Sequence, residues 1–389
     1  MIDLERHPYF TSYIDPETGI KSYVLTERVA EAQRHFYFVN TSLTYDSKYL
    51  WIVCSNAPAR INSLAVVSLD PDNPFIRHFP GAGFTGTGNC PLILPGTHDV
   101  IFAEGKTIYK VTVDGEITKV FTLGNDVLMG RQRWLERVFT HASISADGKM
   151  LALDSYITGK TYMGVLNLET KEYKLIDVLN QFHDHVQFSP RDNDLFLIDQ
   201  EWWFDPISGE RFNYKNRTWL MDVNGTRFEP LIQASWFGRD GSRISHDFWS
   251  KDGNYICYND YEKGAYECNI DTREITHVWK RPICHAHTNA DRSLWVADQN
   301  PYAWRNKPCD VLLFDRETSK EIEIFSKLPY FTIEDADKAY HIDPHPAFTD
   351  DGEYIISTTT VMDRNVDVAI TPVKPALQIC REKGRTTNQ

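Results

Sequence analysis

Ser245–Asp260 reads SHDFWSKDGNYICYND. Its middle, Asp252-Gly253, is a turn signal: Asp bonds its own backbone, and Gly accepts the positive φ a tight turn needs. The residues after it, Tyr255–Tyr258, are of the aromatic and branched kind that suits a strand. A turn followed by four to seven apolar residues recurs along the chain. It appears as YDSKYLWIVCSN from Tyr45, LPGTHDVIFAEG from Leu94, SADGKMLALDSY from Ser145 and SPRDNDLFLIDQ from Ser189. It continues as SKDGNYICYND from Ser250, NADRSLWVADQ from Asn289 and TDDGEYIISTT from Thr349. These seven copies, spaced by about 50 residues, match the period of four-stranded propeller blades. Hairpin signals follow several copies, as in GVLNLETKEYKLI from Gly164, YECNIDTREITHVW from Tyr266 and VLLFDRETSKEIEIF from Val311. The pattern predicts an all-β, seven-bladed β-propeller in a single domain, with two β-sandwiches as the alternative.

The propeller is expected over residues 1–377. From Gln378 the chain turns polar and basic (Arg381, Lys383, Arg385), so 378–389 reads as a polar C-terminal tail that frays. Asp126–Phe139 and Ile333–Tyr340 carry helical pattern and read as short insertions between blades. Gly81, Gly83 and Gly86 spell GxGxxG, but NCPLILPGTHDV after them holds two prolines and no helical period. A dinucleotide site needs a helix there, so an inter-blade loop is the better reading.

Of the 389 residues 42% are hydrophobic and 24% charged, enough for a sizeable core. The net charge of −13 speaks against a general nucleic-acid binder, which needs a basic stripe. A polyanionic substrate would have to be met by local positive charge. The seven cysteines form no CxxC pair, which argues against a disulfide framework or a zinc ribbon and fits a reducing compartment. No apolar run is long enough to span a membrane, and no hydrophobic signal region follows Met1. The expected location is cytoplasmic, or periplasmic or secreted where a signal has been removed.

Chemistry concentrates in histidines ahead of the turns: His141, His183, His185, His246, His285, His287, His341 and His345. Imidazole serves both metal binding and proton transfer near neutral pH. In a propeller the inner strands converge on one axis, so these residues form one spatial set. HIDPH places His341, Asp343 and His345 at alternate positions, on one face of an extended chain. With His285 they offer nitrogen and oxygen ligands without thiolates, a set suited to a divalent metal. Such a mix suits Mn²⁺, Fe²⁺ or Zn²⁺, with Mn²⁺ or Ca²⁺ favoured as carboxylate and water ligation increase. The competing reading is that each histidine bonds the turns of its own blade. His246 reads as a catalytic base or as a core histidine. Trp249 beside it reads mainly as filler of the groove between blades. Arg217 stands just before a strand and could grip a carboxylate bidentately, or form a surface salt bridge. His185 could line the channel, and Glu201, Trp202 and Trp203 are candidates for a substrate rim.

These strings together resemble the oligogalacturonate lyase family, seven-bladed propellers that cleave short pectin fragments. The resemblance is carried by HVQFSP at His185–Pro190, RTWLM at Arg217–Met221 and SHDFWSKDG at Ser245–Gly253. CHAHTNADRSLWVAD at Cys284–Asp298 and DPHPAFTDDG at Asp343–Gly352 complete it. It covers roughly 182–358. The resemblance implies that His246 is the general base, that Arg217 stabilises developing charge, and that a metal, usually manganese, is held by residues including His285 and His345. It also implies an acidic oligosaccharide substrate, with no nucleic acid or membrane partner. The chain departs from the family pattern where HPHP has its first histidine: Asp343 stands there, and Tyr340 and His341 fall near the glutamine position. The exchange keeps a ligand but adds negative charge, so a lyase for another uronate-containing oligosaccharide is one alternative. A non-catalytic sugar- or protein-binding propeller is another. A glycoside hydrolase would want two carboxylates at a set separation, and no such pair stands out. Oligomeric state cannot be read from the chain.

Overall fold

The computed structural model describes residues 2–85, 89–124, 135–205, 207–213, 216–232, 243–299, 308–333, 340 and 342–387. Seven antiparallel sheets form a ring around an axis, the seven-bladed propeller that the repeats predict. Blade 4 shows the pattern: His183–Phe188 innermost, then Leu195–Gln200, Thr218–Asp222 and Phe228–Pro230. Blade 5 repeats it with Ile244–Trp249, Tyr255–Asp260, Gly264–Asn269 and Ile275–Trp279. Blade 7 closes the ring. Its strands Ala347–Phe348, Tyr354–Thr359 and Asp367–Pro372 are continued by the N-terminal strands Lys21–Leu25 and Phe10–Ile14, with Tyr23 opposite Ile370 and Val24 opposite Ala369.

Strand composition follows position. Leu195–Gln200 is buried at every residue because neighbouring blades cover both its faces. The outer strand Tyr173–Leu179 is mostly exposed or half-buried, with only its last residue fully covered. The hydrophobic core is divided among the contacts between adjacent blades. Between blades 3 and 4, for example, Met163 and Val165 meet Val186, Phe188, Phe196, Ile198 and Met221. Each such side chain removed from water contributes about 1.5–3 kcal/mol.

The turns use the chemistry read from the sequence. At Ser250–Asn254 the Ser250 hydroxyl donates to Asp252 (2.6 Å), Asp252 accepts the Asn254 N–H (3.0 Å), and Gly253 takes φ +68°. The same hydroxyl–aspartate pair recurs at Ser145/Asp147 and Thr349/Asp351.

Three local expectations need correction. The tail expected to fray from Gln378 is ordered: Val373–Lys383 is an α-helix, and Arg385–Thr386 pairs with Lys320 and Glu321. Val373, Ala376 and Cys380 fall at helical spacing and pack into the core between blades 6 and 7, and Arg381 Nε donates to Asp315 (2.8 Å). A boundary at 378 splits this stripe, so its amphipathic period is lost. In Asp126–Phe139, Leu135–Arg137 is a strand rather than a helix, pairing with Met150–Ile157, and residues 126–134 lie outside the described residues. Gly81 and Gly83 lie within the strand Ile76–Thr85 rather than in an inter-blade loop. Of Ile333–Tyr340, residues 334–339 lie outside the described residues.

Candidate active site and metal centre

Counting back four residues from the residue that opens each turn, Thr44 in the first copy, gives Asn40, Cys90, His141, His185, His246, His285 and His345. Five successive blades therefore carry histidine at one equivalent position, and the fold brings them to the axis. Ring centroids of His246 and His285 are 4.0 Å apart, those of His285 and His345 4.1 Å, and those of His141 and His185 4.8 Å. The inner strands bulge there. Pairing shifts register between Asp184 and Gln187 in blade 4 and between Ser245 and Phe248 in blade 5. His185, His246 and His345 adopt φ of +55°, +57° and +44°. Bulges re-aim side chains, and strained backbone at non-glycine residues gathers at functional sites.

His285, Asp343 and His345 come together, each offering a ligand atom within 4.8 Å of the others. Asp298 braces this group. Its carboxylate accepts the His285 backbone N–H (2.8 Å), the His285 Nδ1–H (2.9 Å) and the His345 backbone N–H (3.1 Å). With Nδ1 so engaged, His285 presents its lone pair on Nε2, the carboxylate–histidine arrangement common behind metal ligands. Burial pulls the His285 pKa down, but Asp298 and Asp343 together outweigh it and raise it. Two imidazoles and a carboxylate suit Mn²⁺ or another divalent ion of intermediate hardness, so the donor set fits the metal expected from the sequence. His341 lies outside the described residues.

His246 sits beside this group. Its Nδ1 lies 2.8 Å from the Cys284 carbonyl oxygen, which can only accept, so Nδ1 carries the proton and Nε2 the lone pair. Burial, and then the neighbouring His285, hold its pKa well below the usual imidazole value. The ring is therefore a neutral base at neutral pH. Tyr261 Oη approaches both ring nitrogens at 3.4 Å.

Arg217 is not a surface residue. It is 1% exposed and lies among three carboxylates: Nε donates to Asp247 (2.9 Å), Nη2 to Asp199 (2.9 Å) and Nη1 to Glu201. Asp199 and Asp247 are fully buried, whereas the Glu201 side chain is 20% exposed. Burial pushes the Asp199 carboxyl well above the usual range, with Asp247 adding to the push and Arg217 opposing it. Glu201 in turn lies with Asp184 and His185, donor atoms again within 4.8 Å of one another. Trp203 pairs with Phe212 in a two-stranded projection next to Glu201, and its side chain lies outside the described residues.

Two of the singled-out histidines hold backbone groups, His183 just ahead of its own blade and His287 across to blade 7. His183 Nδ1 bonds the Gln181 carbonyl (3.0 Å), and His287 Nδ1 accepts the Phe348 N–H (3.1 Å). Trp249 fills the groove between blades, donating to the Gln187 carbonyl (2.9 Å). The sequence reading assigned no role to Asp298, Cys284 or Tyr37, whose ring stacks on His141 at 4.4 Å. His141 belongs to the set expected at the axis, though no separate role is given to it. The other three lie outside that set.

No family model matches the chain. Over 212 residues, 50% of this chain, it is 24% identical to an oligogalacturonate lyase of Dickeya dadantii and 26% identical to an oligogalacturonide lyase of Pectobacterium atrosepticum. The match covers 51% of each of these relatives, so the chain spans about half the length of the curated proteins it resembles. Among solved structures, an oligogalacturonate lyase in complex with manganese superposes with a TM-score of 0.69 at 17% identity, over 95% of this chain and 97% of that one. The oligogalacturonate lyase of Vibrio parahaemolyticus gives 0.72, also at 17%, over 94% and 97%. Sequence similarity over half the chain and a shared fold over nearly all of it thus support the resemblance to the oligogalacturonate lyase family read from its motifs.

Proposed function

We propose that the protein is a lyase that cleaves a 4-linked uronate oligosaccharide, oligogalacturonide-like, by β-elimination. The observation that carries this reading is the meeting of His246, His285, Asp343 and His345 at the axis, a neutral base beside a cation-binding donor set. His285, Asp343 and His345 would hold the divalent ion, Mn²⁺ by preference. Such an ion supplies positive charge near the substrate carboxylate, lowering the energy of the negative charge that develops as the C5–H bond breaks.

His246 takes the C5 proton on Nε2, its Nδ1–H staying on the Cys284 carbonyl so that the ring cannot rotate away. The electron pair forms the C4=C5 double bond and the C4–O4 bond breaks, O4 taking up a proton from solvent as His246 returns the C5 proton to solvent, so no water is consumed overall. Arg217 meets the substrate carboxylate by giving up Glu201, the one of its three carboxylates that reaches solvent. Asp199 and Asp247 hold the guanidinium in place meanwhile.

The test is incubation of the Mn²⁺-loaded protein with oligogalacturonides and, in parallel, other uronate oligosaccharides, followed by ultraviolet absorbance of the unsaturated product. A rise with oligogalacturonides is expected. A rise only with another uronate would move the substrate to that sugar, in keeping with the extra negative charge of Asp343. No rise with any of them would overturn the reading.

A further inference from the structure

His285 has one lone pair to give, on Nε2, and two sets of donors face it. Asp343 and His345 form one. The other is the Cys284 thiol, 3.9 Å from Nε2, together with His246; the donor atoms of His246, Cys284 and His285 also lie within 4.8 Å of one another. Tetrahedral zinc, with bonds of about 2.0–2.1 Å to nitrogen and 2.3 Å to sulfur, sets its donors about 3.4–3.6 Å apart. The thiol–imidazole spacing is only a few tenths of an ångström wider than that.

We propose that His246, Cys284 and His285 form a second, soft-metal site that takes Zn²⁺ or Cd²⁺ and excludes a harder ion from His285, Asp343 and His345. A thiolate selects soft and borderline ions, whereas a carboxylate favours Mn²⁺. Sharing the His285 lone pair makes the two occupancies mutually exclusive. On binding, the Cys284 S–H bond breaks, the metal–sulfur bond forms and the proton leaves to solvent. The same ion takes the His246 lone pair. Loss of the base, and hence inhibition, rests on the lyase reading; the binding itself does not.

The experiment is titration of Co²⁺ into metal-free protein. A thiolate-to-cobalt charge-transfer band in the near ultraviolet is expected in the native protein and in Cys309→Ser, which alters a neighbouring buried thiol. It should vanish in Cys284→Ser and in Cys284→Ala, each checked for folding by circular dichroism. Absence of the band from the native protein, or its persistence in both Cys284 variants, overturns the proposal. In competition, Zn²⁺ should displace bound Mn²⁺, read by the magnetic resonance signal of free Mn²⁺, and Cys284→Ser should raise the Zn²⁺ required at least tenfold. An unchanged requirement also counts against the site. Neither readout uses turnover, so failure here is distinguishable from failure of the lyase assay.

Discussion

At one equivalent position, four residues ahead of the turn, blades 1 and 2 differ in residue type from blades 3 to 7, and the difference separates closing the ring from using it. Asn40 and Cys90 occupy that position in the first two blades. The Asn40 amide donates to the Pro91 (2.9 Å) and Ala142 (3.2 Å) carbonyls, stitching three inner strands together. The Cys90 backbone bridges His141 in parallel across to blade 3. The amide thus ties backbone carbonyls at the inner ends of blades 2 and 3 to blade 1. In blades 3 to 7 the position is histidine, and in blades 5, 6 and 7 those imidazoles stand next to Asp343 and the Cys284 thiol. Fold geometry sets where the residue points. Residue choice decides whether it completes the backbone network or presents a lone pair.

The strongest test of this division is His246→Ala. General-base removal is expected to lower kcat by roughly 10²–10⁴-fold, with little change in the unfolding midpoint, because the ring's main bond is to one carbonyl. In the native protein the depressed His246 pKa keeps the base unprotonated to lower pH. The acidic limb of kcat/KM should therefore fall below about 6.5, the ordinary imidazole value. A variant that unfolds, or keeps full turnover, would move His246 to the structural class with Asn40.

Arg217 tests the border between the two classes. Replacement with Met leaves the buried Asp199 and Asp247 without their cation, and removing one partner of a buried ion cluster destabilises by about 3–5 kcal/mol. Urea denaturation should show that loss. Unchanged stability with a raised KM would instead make Arg217 a substrate clamp with dispensable internal partners.

The ring itself was legible because each blade repeats one turn and one buried strand, and a repeat is a local signal. His285, Asp343 and His345 were legible for the same reason, each lying just ahead of a turn. Arg217 was not. The string RTWLM says nothing about Asp199, Glu201 and Asp247, which reach it from two other strands and the residue after one of them, so a buried keystone read as a surface salt bridge. Asp298 was hidden likewise, as the last residue of an apolar strand whose hydrogen bonds run to blade 7 as well as to its own. The C-terminal helix was missed because its buried stripe is short, with Lys374 and Pro375 between its apolar residues.

The smallest effects come from a matched pair that should separate cleanly. Asn40→Ala leaves the Pro91 and Ala142 carbonyls without their donor, so about 1–3 kcal/mol of stability should be lost with Mn²⁺ affinity unchanged. Asp298→Asn keeps the shape but removes the charge. The neutral amide cannot accept with both its ends, so it cannot hold the His285 imidazole and both backbone N–H groups as the carboxylate does. Loss of such a partner weakens metal binding by about 10–100-fold. Titration calorimetry with Mn²⁺ and urea unfolding on both variants measure the two quantities together. If Asn40→Ala weakened Mn²⁺ binding as much as Asp298→Asn did, the axis would be one coupled network, with Tyr37 as a link, since its carbonyl accepts the Asn40 N–H (2.8 Å) and its ring lies 4.9 Å from that of His345.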